Sequence, residues 1–206
     1  MVTIISWKIE VRALKTLIFL TGQSGCGKST IATKFDSSAF RVDVDAIQYE
    51  AARRAFPFAR KTEFMNWFLW PQHPDTFDAV PLISLSLRAI YPTLLSEESH
   101  VQSVLIEGCF LAHDWFRGAL ETVLSGAGHA FGSTCHFYLK QSSNVVLGQI
   151  RERSARTKNE AQLKVFKDEA AIEHNSRWFS EFLCEEWQHF DDKHLLEIEI
   201  KRCLEQ

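Results

Sequence analysis

Gly22-Gln23-Ser24-Gly25-Cys26-Gly27-Lys28-Ser29, with Thr30 next, has the residue types of an anion cradle. Glycines let a backbone turn successive N–H groups toward phosphate oxygens, a lysine brings a cation to the terminal phosphates, and a serine hydroxyl can ligate Mg²⁺. A helix expected to start at Lys28 would add the positive end of its dipole. The pattern G-x-x-x-x-G-K-[ST] is matched in full, so this stretch is expected to bind a nucleoside triphosphate, with ATP and Mg²⁺ as the implied pair.

Three carboxylates stand where apolar runs end. Asp43 and Asp45 close Phe40-Arg41-Val42-Asp43-Val44-Asp45, and Glu107 closes Val104-Leu105-Ile106 ahead of Gly108. Ligands of open α/β sheets bind at the carboxyl ends of strands. In extended chain Asp43 and Asp45 would share a face and repel one another unless Mg²⁺, an arginine or substrate lay between them. Both are candidates for binding an acceptor; Asp45, nearer the strand opening, is the preferred one, with a helix N-cap before Ala46-Ile47 as its alternative. Glu107 is expected to face the site and hold a water on Mg²⁺, so that Ser29 and Glu107 are the metal candidates; a proton-accepting role for Glu107 is less favoured, and a plain strand-end acid is the alternative. Arg153 and Arg156, three apart on an expected helix, share a face that Arg151 does not; they suit a phosphate clamp or, alternatively, a solvated helix end. Arg53, Arg54, Arg60 and Lys61 form a further basic cluster, in which Arg54 is a candidate to grip an anionic acceptor and a surface role is equally compatible.

Alternating strands and helices must position these groups. Expected strands are 17–21, 40–45, 104–106, 135–139 and 194–200; expected helices include 28–35, 115–124 and 145–153, with a helix or helix pair over 160–187. The pattern predicts an α/β fold, a five-stranded parallel sheet with helices on both faces. All five prolines lie within 46–99, a mainly helical stretch that would form an acceptor-binding insert of about 46–100, while 151–160 would form a lid.

At 206 residues the chain fits a single domain, 1–206, and 46% hydrophobic with 24% charged residues argues against disorder. A net charge of −3 argues against a surface built wholly for nucleic acid. Five cysteines, an odd number without C-x-x-C spacing, fit a reducing compartment. No signal peptide or long apolar run is evident, so a cytoplasmic protein without a membrane segment is expected. Seven of the aromatics (Phe56, Phe58, Phe64, Trp67, Phe68, Trp70, Phe77) crowd into the proposed insert, marking a place for a ring-bearing or apolar acceptor, although core packing is their commoner use. The histidines are scattered singly, and no zinc site is expected.

The loop, the two acidic strand ends and Arg151-Glu152-Arg153-Ser154-Ala155-Arg156 together resemble the P-loop kinases of the nucleoside-monophosphate-kinase-like group, which includes shikimate and gluconate kinases, polynucleotide 5′-kinases and zeta-type toxins. No Asn-Lys-x-Asp or Asp-x-x-Gly string of a GTPase is present. The resemblance implies a P-loop NTPase fold and transfer of the γ-phosphoryl group of ATP to a small-molecule hydroxyl. It also implies a catalytic Lys28 at the terminal phosphates, one carboxylate of the Asp43/Asp45 pair as base, with Asp45 preferred for its position, and lid arginines that clamp phosphate, for which Arg153 and Arg156 are the choice and Arg151 the alternative. Two alternatives are a kinase of nucleic-acid 5′ ends or modified bases, stacking them on Phe64–Trp70, and a nucleotide-gated regulatory or toxin-like binding protein.

Overall fold

The computed structural model describes residues 14–47, 50, 88, 103–126, 131–158 and 160–206. In chain order these form β1 (Leu14–Thr21), α1 (Lys28–Ala32) continuing as a 3₁₀ turn (Thr33–Phe35), β2 (Phe40–Asp43) and β3 (Ser103–Glu107). A 3₁₀ turn (Cys109–Ala112), α2 (Asp114–Gly126), β4 (Phe131–Leu139) and α3 (Ser143–Thr157) follow. The chain then adds α4 (Ala161–Val165), α5 (Glu169–Glu181), β5 (Gln188–Phe190) and α6 (Lys193–Leu204). The expected insert, with Arg53, Arg54, Arg60, Lys61 and the seven clustered aromatics, lies outside the described residues.

The five strands make one parallel sheet in the order β2-β3-β1-β4-β5. Parallel strands covered on both faces read as continuous apolar runs, and Leu17-Ile18-Phe19-Leu20 and Val104-Leu105-Ile106 are all at most 1% exposed. Alternation divides them between two cores. Leu17, Phe19, Val104 and Ile106 pack with Phe116, Leu120 and Leu124 of α2. Ile18, Leu20 and Leu105 pack with Ile31 of α1, Val146 and Ile150 of α3, and Leu196 and Ile200 of α6. Each such side chain, fully buried, contributes about 1.5–3 kcal/mol. No helix among the described residues is long and apolar enough to cross a membrane.

The structure corrects two of the expected strands. Residues 194–200 are not a strand but lie in α6, and the fifth strand is the three-residue β5 just before it. Leu196-Glu197-Ile198-Glu199-Ile200 alternates like a strand, yet burial follows the helical period. Leu196, Ile200 and Cys203 are at most 5% exposed, whereas Leu195 and Ile198 stand 54% and 45% exposed. Asp192 starts the helix by accepting from the N–H groups of His194 and Leu195. β5 carried no apolar signal because as an edge strand it exposes Gln188 and His189.

The second strand also ends early, at Asp43, and residues 44–47 are helical. Asp43, not Asp45, caps that turn, its Oδ1 accepting from Ala46 N at 2.9 Å. The two carboxylates therefore do not share one face of an extended strand.

Candidate active site

The register of the central strands sets the site. Asp43 of β2 and Leu20 of β1 both lie opposite Glu107 of β3, so Glu107 ends its strand between the two neighbours. Thr21 Oγ1 donates to Gly108 O at 2.9 Å and Gly108 N to Leu20 O at 3.1 Å, fastening the two strand ends side by side. The loop 22–27 follows β1 immediately, and the 3₁₀ turn at Cys109 follows β3.

Lys28 turns back over this edge. Its side chain is buried, and Nζ donates to Gly22 O at 2.9 Å and Gln23 O at 3.3 Å and lies 3.3 Å from Cys109 Sγ. Burial works against the ammonium charge. The carboxylates Asp45 and Glu107 act against that, and the pKa moves up, so Lys28 stays protonated.

Cys109 also receives Asp45. Its backbone N–H donates to Asp45 Oδ1 at 2.8 Å, and a Cβ on Gly108 would lie only 3.0 Å from that oxygen, so a side chain at 108 would crowd the carboxylate. Burial raises the pKa of Asp45, opposed by Lys28 and the Cys109 N–H and reinforced by the charge of Asp43. The Cys109 thiol is pushed well above its ordinary value, by burial first and by Asp45 second, and so is held neutral.

Glu107 is 1% exposed, and its Oε1 accepts from Arg41 Nε at 2.7 Å. Arg41 also reaches Asp43 at 3.6 Å and Asp36 at 3.8 Å, so one guanidinium serves three carboxylates. Burial raises the pKa of Glu107, and Asp43 adds to that, while the Ser29 hydroxyl, Arg41 and Lys28 draw it down.

Of the loop residues, Gly22, Gln23, Gly25, Cys26, Gly27 and Lys28 are buried, Ser24 is partly buried, and Ser29 and Thr30 are exposed. Cys26 has its thiol pKa raised by burial. Arg151, Arg153 and Arg156 lie exposed on α3. Arg153 Nη1 donates to Gln162 Oε1 at 3.4 Å, and Gln162 Nε2 donates to Ser24 Oγ at 2.9 Å, which ties Arg153 to the loop through α4. Arg156 has no such tie among the described residues.

Reasoning from the sequence missed Arg41, Cys109 and Gln162. Arg41 stood inside the quoted strand with a charge two residues before Asp43, a readable signal; the others come from elements distant in sequence and carried none.

The site suits the groups its loop implies. Among the described residues the direct partners of Lys28 Nζ are neutral, two carbonyls and a thiol, which leaves its charge available to a polyanion. The exposed Ser29 hydroxyl beside the Glu107 carboxylate is an oxygen donor set of the kind that holds Mg²⁺ with bound waters.

No protein-family model and no curated protein matches the chain. Solved structures do. A tunicamycin resistance protein of Deinococcus radiodurans is 19% identical with a TM-score of 0.53, covering 91% of this chain and 94% of its own. A Chloroflexus aurantiacus protein described as a kinase is 16% identical with a TM-score of 0.56, over 92% and 98% of the two chains. A sugar kinase of Janibacter sp. HTCC2649 is 16% identical with a TM-score of 0.50, over 93% and 94%. The chain thus shares the fold of these structures, a five-stranded parallel sheet with helices of the P-loop NTPase kind, at low sequence identity.

Proposed function

We propose that the chain is an ATP- and Mg²⁺-dependent phosphotransferase that moves the γ-phosphoryl group to a hydroxyl of a small-molecule acceptor. One observation carries this reading: Cys109 joins the Lys28 ammonium, through its thiol, to the Asp45 carboxylate, through its backbone N–H. A phosphate-directed cation and a base of raised pKa thus meet on one residue at the carboxyl edge of the sheet.

In this reading the loop amides and Lys28 hold the triphosphate. Asp45 Oδ2 accepts the proton of the attacking hydroxyl while Oδ1 stays anchored to Cys109 N. Raising its pKa strengthens it as a proton acceptor. Ser29 would hold Mg²⁺, with Glu107 orienting a water on it, and the ion would supply charge neutralisation at the phosphates. Arg41 keeps Glu107 aimed and favours its ionised form, and Arg153 closes from the lid side.

The test is a screen of γ-labelled ATP with sugars, nucleosides and antibiotics, tunicamycin included because of the named structural neighbour, and with oligonucleotides. Labelled product with a small hydroxylated acceptor is the expected result. Label on oligonucleotides alone would move the acceptor class to nucleic acid. ATP binding without label on any acceptor would favour the nucleotide-gated binding protein.

A further inference from the structure

Lys193 stands on the far side of the loop from Asp45. It is the first residue of α6, in a backbone held by the Asp192 carboxylate, which accepts from His194 N at 2.7 Å and Leu195 N at 3.3 Å. From there its side chain reaches Gly27. A Cβ on Gly27 would lie 2.7 Å from Lys193 Nζ and 2.9 Å from its Cε, so the ammonium occupies the space that the glycine leaves. Gly27 also has φ +100, which a side chain would strain.

Gln149 of α3 links this lysine to the loop. With its amide oriented to suit both neighbours, the nitrogen donates to Gly25 O at 2.6 Å and the oxygen accepts from Lys193 Nζ at 3.0 Å. A neutral amide is thus what holds the ammonium, and no carboxylate among the described residues pairs with it. The charge is felt inside the loop, where it helps to lower the pKa of Cys26 against burial.

The sheet order gives the direction. Asp45 and Glu107 approach the loop from the β2–β3 side, and Lys193 from the β5 side, at the opposite edge. A triphosphate with its terminal phosphate at Lys28 and Asp45 would meet Lys193 on extending across the loop toward β5. An ammonium against the loop glycine at that end suits a phosphate oxygen, which would give it the charged partner that it lacks among the described residues.

We propose that Lys193 binds the donor nucleotide at the phosphate nearest the nucleoside, and that Gln149 positions it there. This rests on the reading of the loop as a nucleotide site. The experiment is calorimetric titration of ADP and of a non-hydrolysable ATP analogue, each with Mg²⁺, into the wild type, Lys193→Met, Lys193→Arg and Gln149→Leu, alongside thermal melts of the ligand-free proteins. Lys193→Met should lose roughly tenfold in affinity for both nucleotides equally. Gln149→Leu should lose less, and Lys193→Arg should keep most of the affinity, with ligand-free melts unchanged. Unaltered binding by Lys193→Met, or a loss matched by Lys193→Arg, would overturn the proposal. So would a loss confined to the ATP analogue, which would put Lys193 at the terminal phosphate. A wild type that binds neither nucleotide would remove the nucleotide reading itself, a failure visible before any variant is compared.

Discussion

The β2–β3 and β4–β5 sides of the loop are built from different materials. On the β2–β3 side, Glu107 and Asp45 are charged groups with raised pKa values, held by Arg41 and by the Cys109 N–H within a hydrogen bond of buried backbone. On the β4–β5 side, Gln149 and Gln162 are neutral amides that touch the loop and carry cations behind them, Lys193 and Arg153. A buried charge resists displacement because its partners are fixed and its desolvation is already met. A half-buried, uncharged amide link costs less to break and can re-form around a ligand. Under the proposed function the first side would serve proton transfer and the second would close over the nucleotide.

Mutations can break or sharpen that contrast. Lys28→Ala should have the largest effect, abolishing measurable transfer, with a loss of roughly 10³-fold or more, while the circular dichroism spectrum stays that of the wild type. Asp45→Asn should lower kcat by about 10²–10³-fold with much less change in ATP affinity; near-normal turnover would remove Asp45 as base. The same variant gives a stability test whose sign follows from the raised pKa of Asp45. A carboxylate of raised folded-state pKa contributes stability below its unfolded value, near 3.9, and loses it as pH rises through the folded value. Removing the charge should therefore raise the melting temperature of the ligand-free protein at neutral pH, and the gain should shrink as pH falls toward 4.

Arg41→Met should act next in size, with a loss on the order of tenfold in kcat/KM. Arg41 draws down the pKa of Glu107, so its removal lets that pKa rise further and moves the acid limb of the pH–rate profile to higher pH. An unshifted limb with lower activity would make Arg41 a merely structural residue. The smallest effects belong to the lid side. Arg153→Met should weaken ATP binding about threefold to tenfold, and Arg156→Met should change it less than twofold, since Arg153 alone of the pair is tied to the loop among the described residues. Equal losses in both variants would restore the clamp expected from their shared helix face.

The loop and the sheet were legible because both depend on local pattern. Glycine spacing with Lys28 and Ser29 encodes the cradle, and the unbroken apolar runs of β1 and β3 encode strands covered on two faces. The fifth strand was not legible. Three residues at a sheet edge bury too little to leave a pattern, while the alternating stretch in α6 imitated a strand. Asp43 and Asp45 could be read as acids at a strand end, but which one caps a helix depends on a turn beginning at Val44, a β-branched residue that alternates with acids and that propensity assigns to the strand.

By itself, the sequence determined the phosphate-binding loop, the two central strands and the presence of acids at the sheet edge. Those features need only the order of residues along a short stretch of chain. Tertiary structure alone decided that Cys109 would join Lys28 to Asp45, that Arg41 would hold Glu107, and that Gln149 and Lys193 would meet the loop from the opposite side. These contacts bring together residues from separate elements across parallel strand register and helix packing. No local periodicity records them, because their distances are set by how the sheet is ordered.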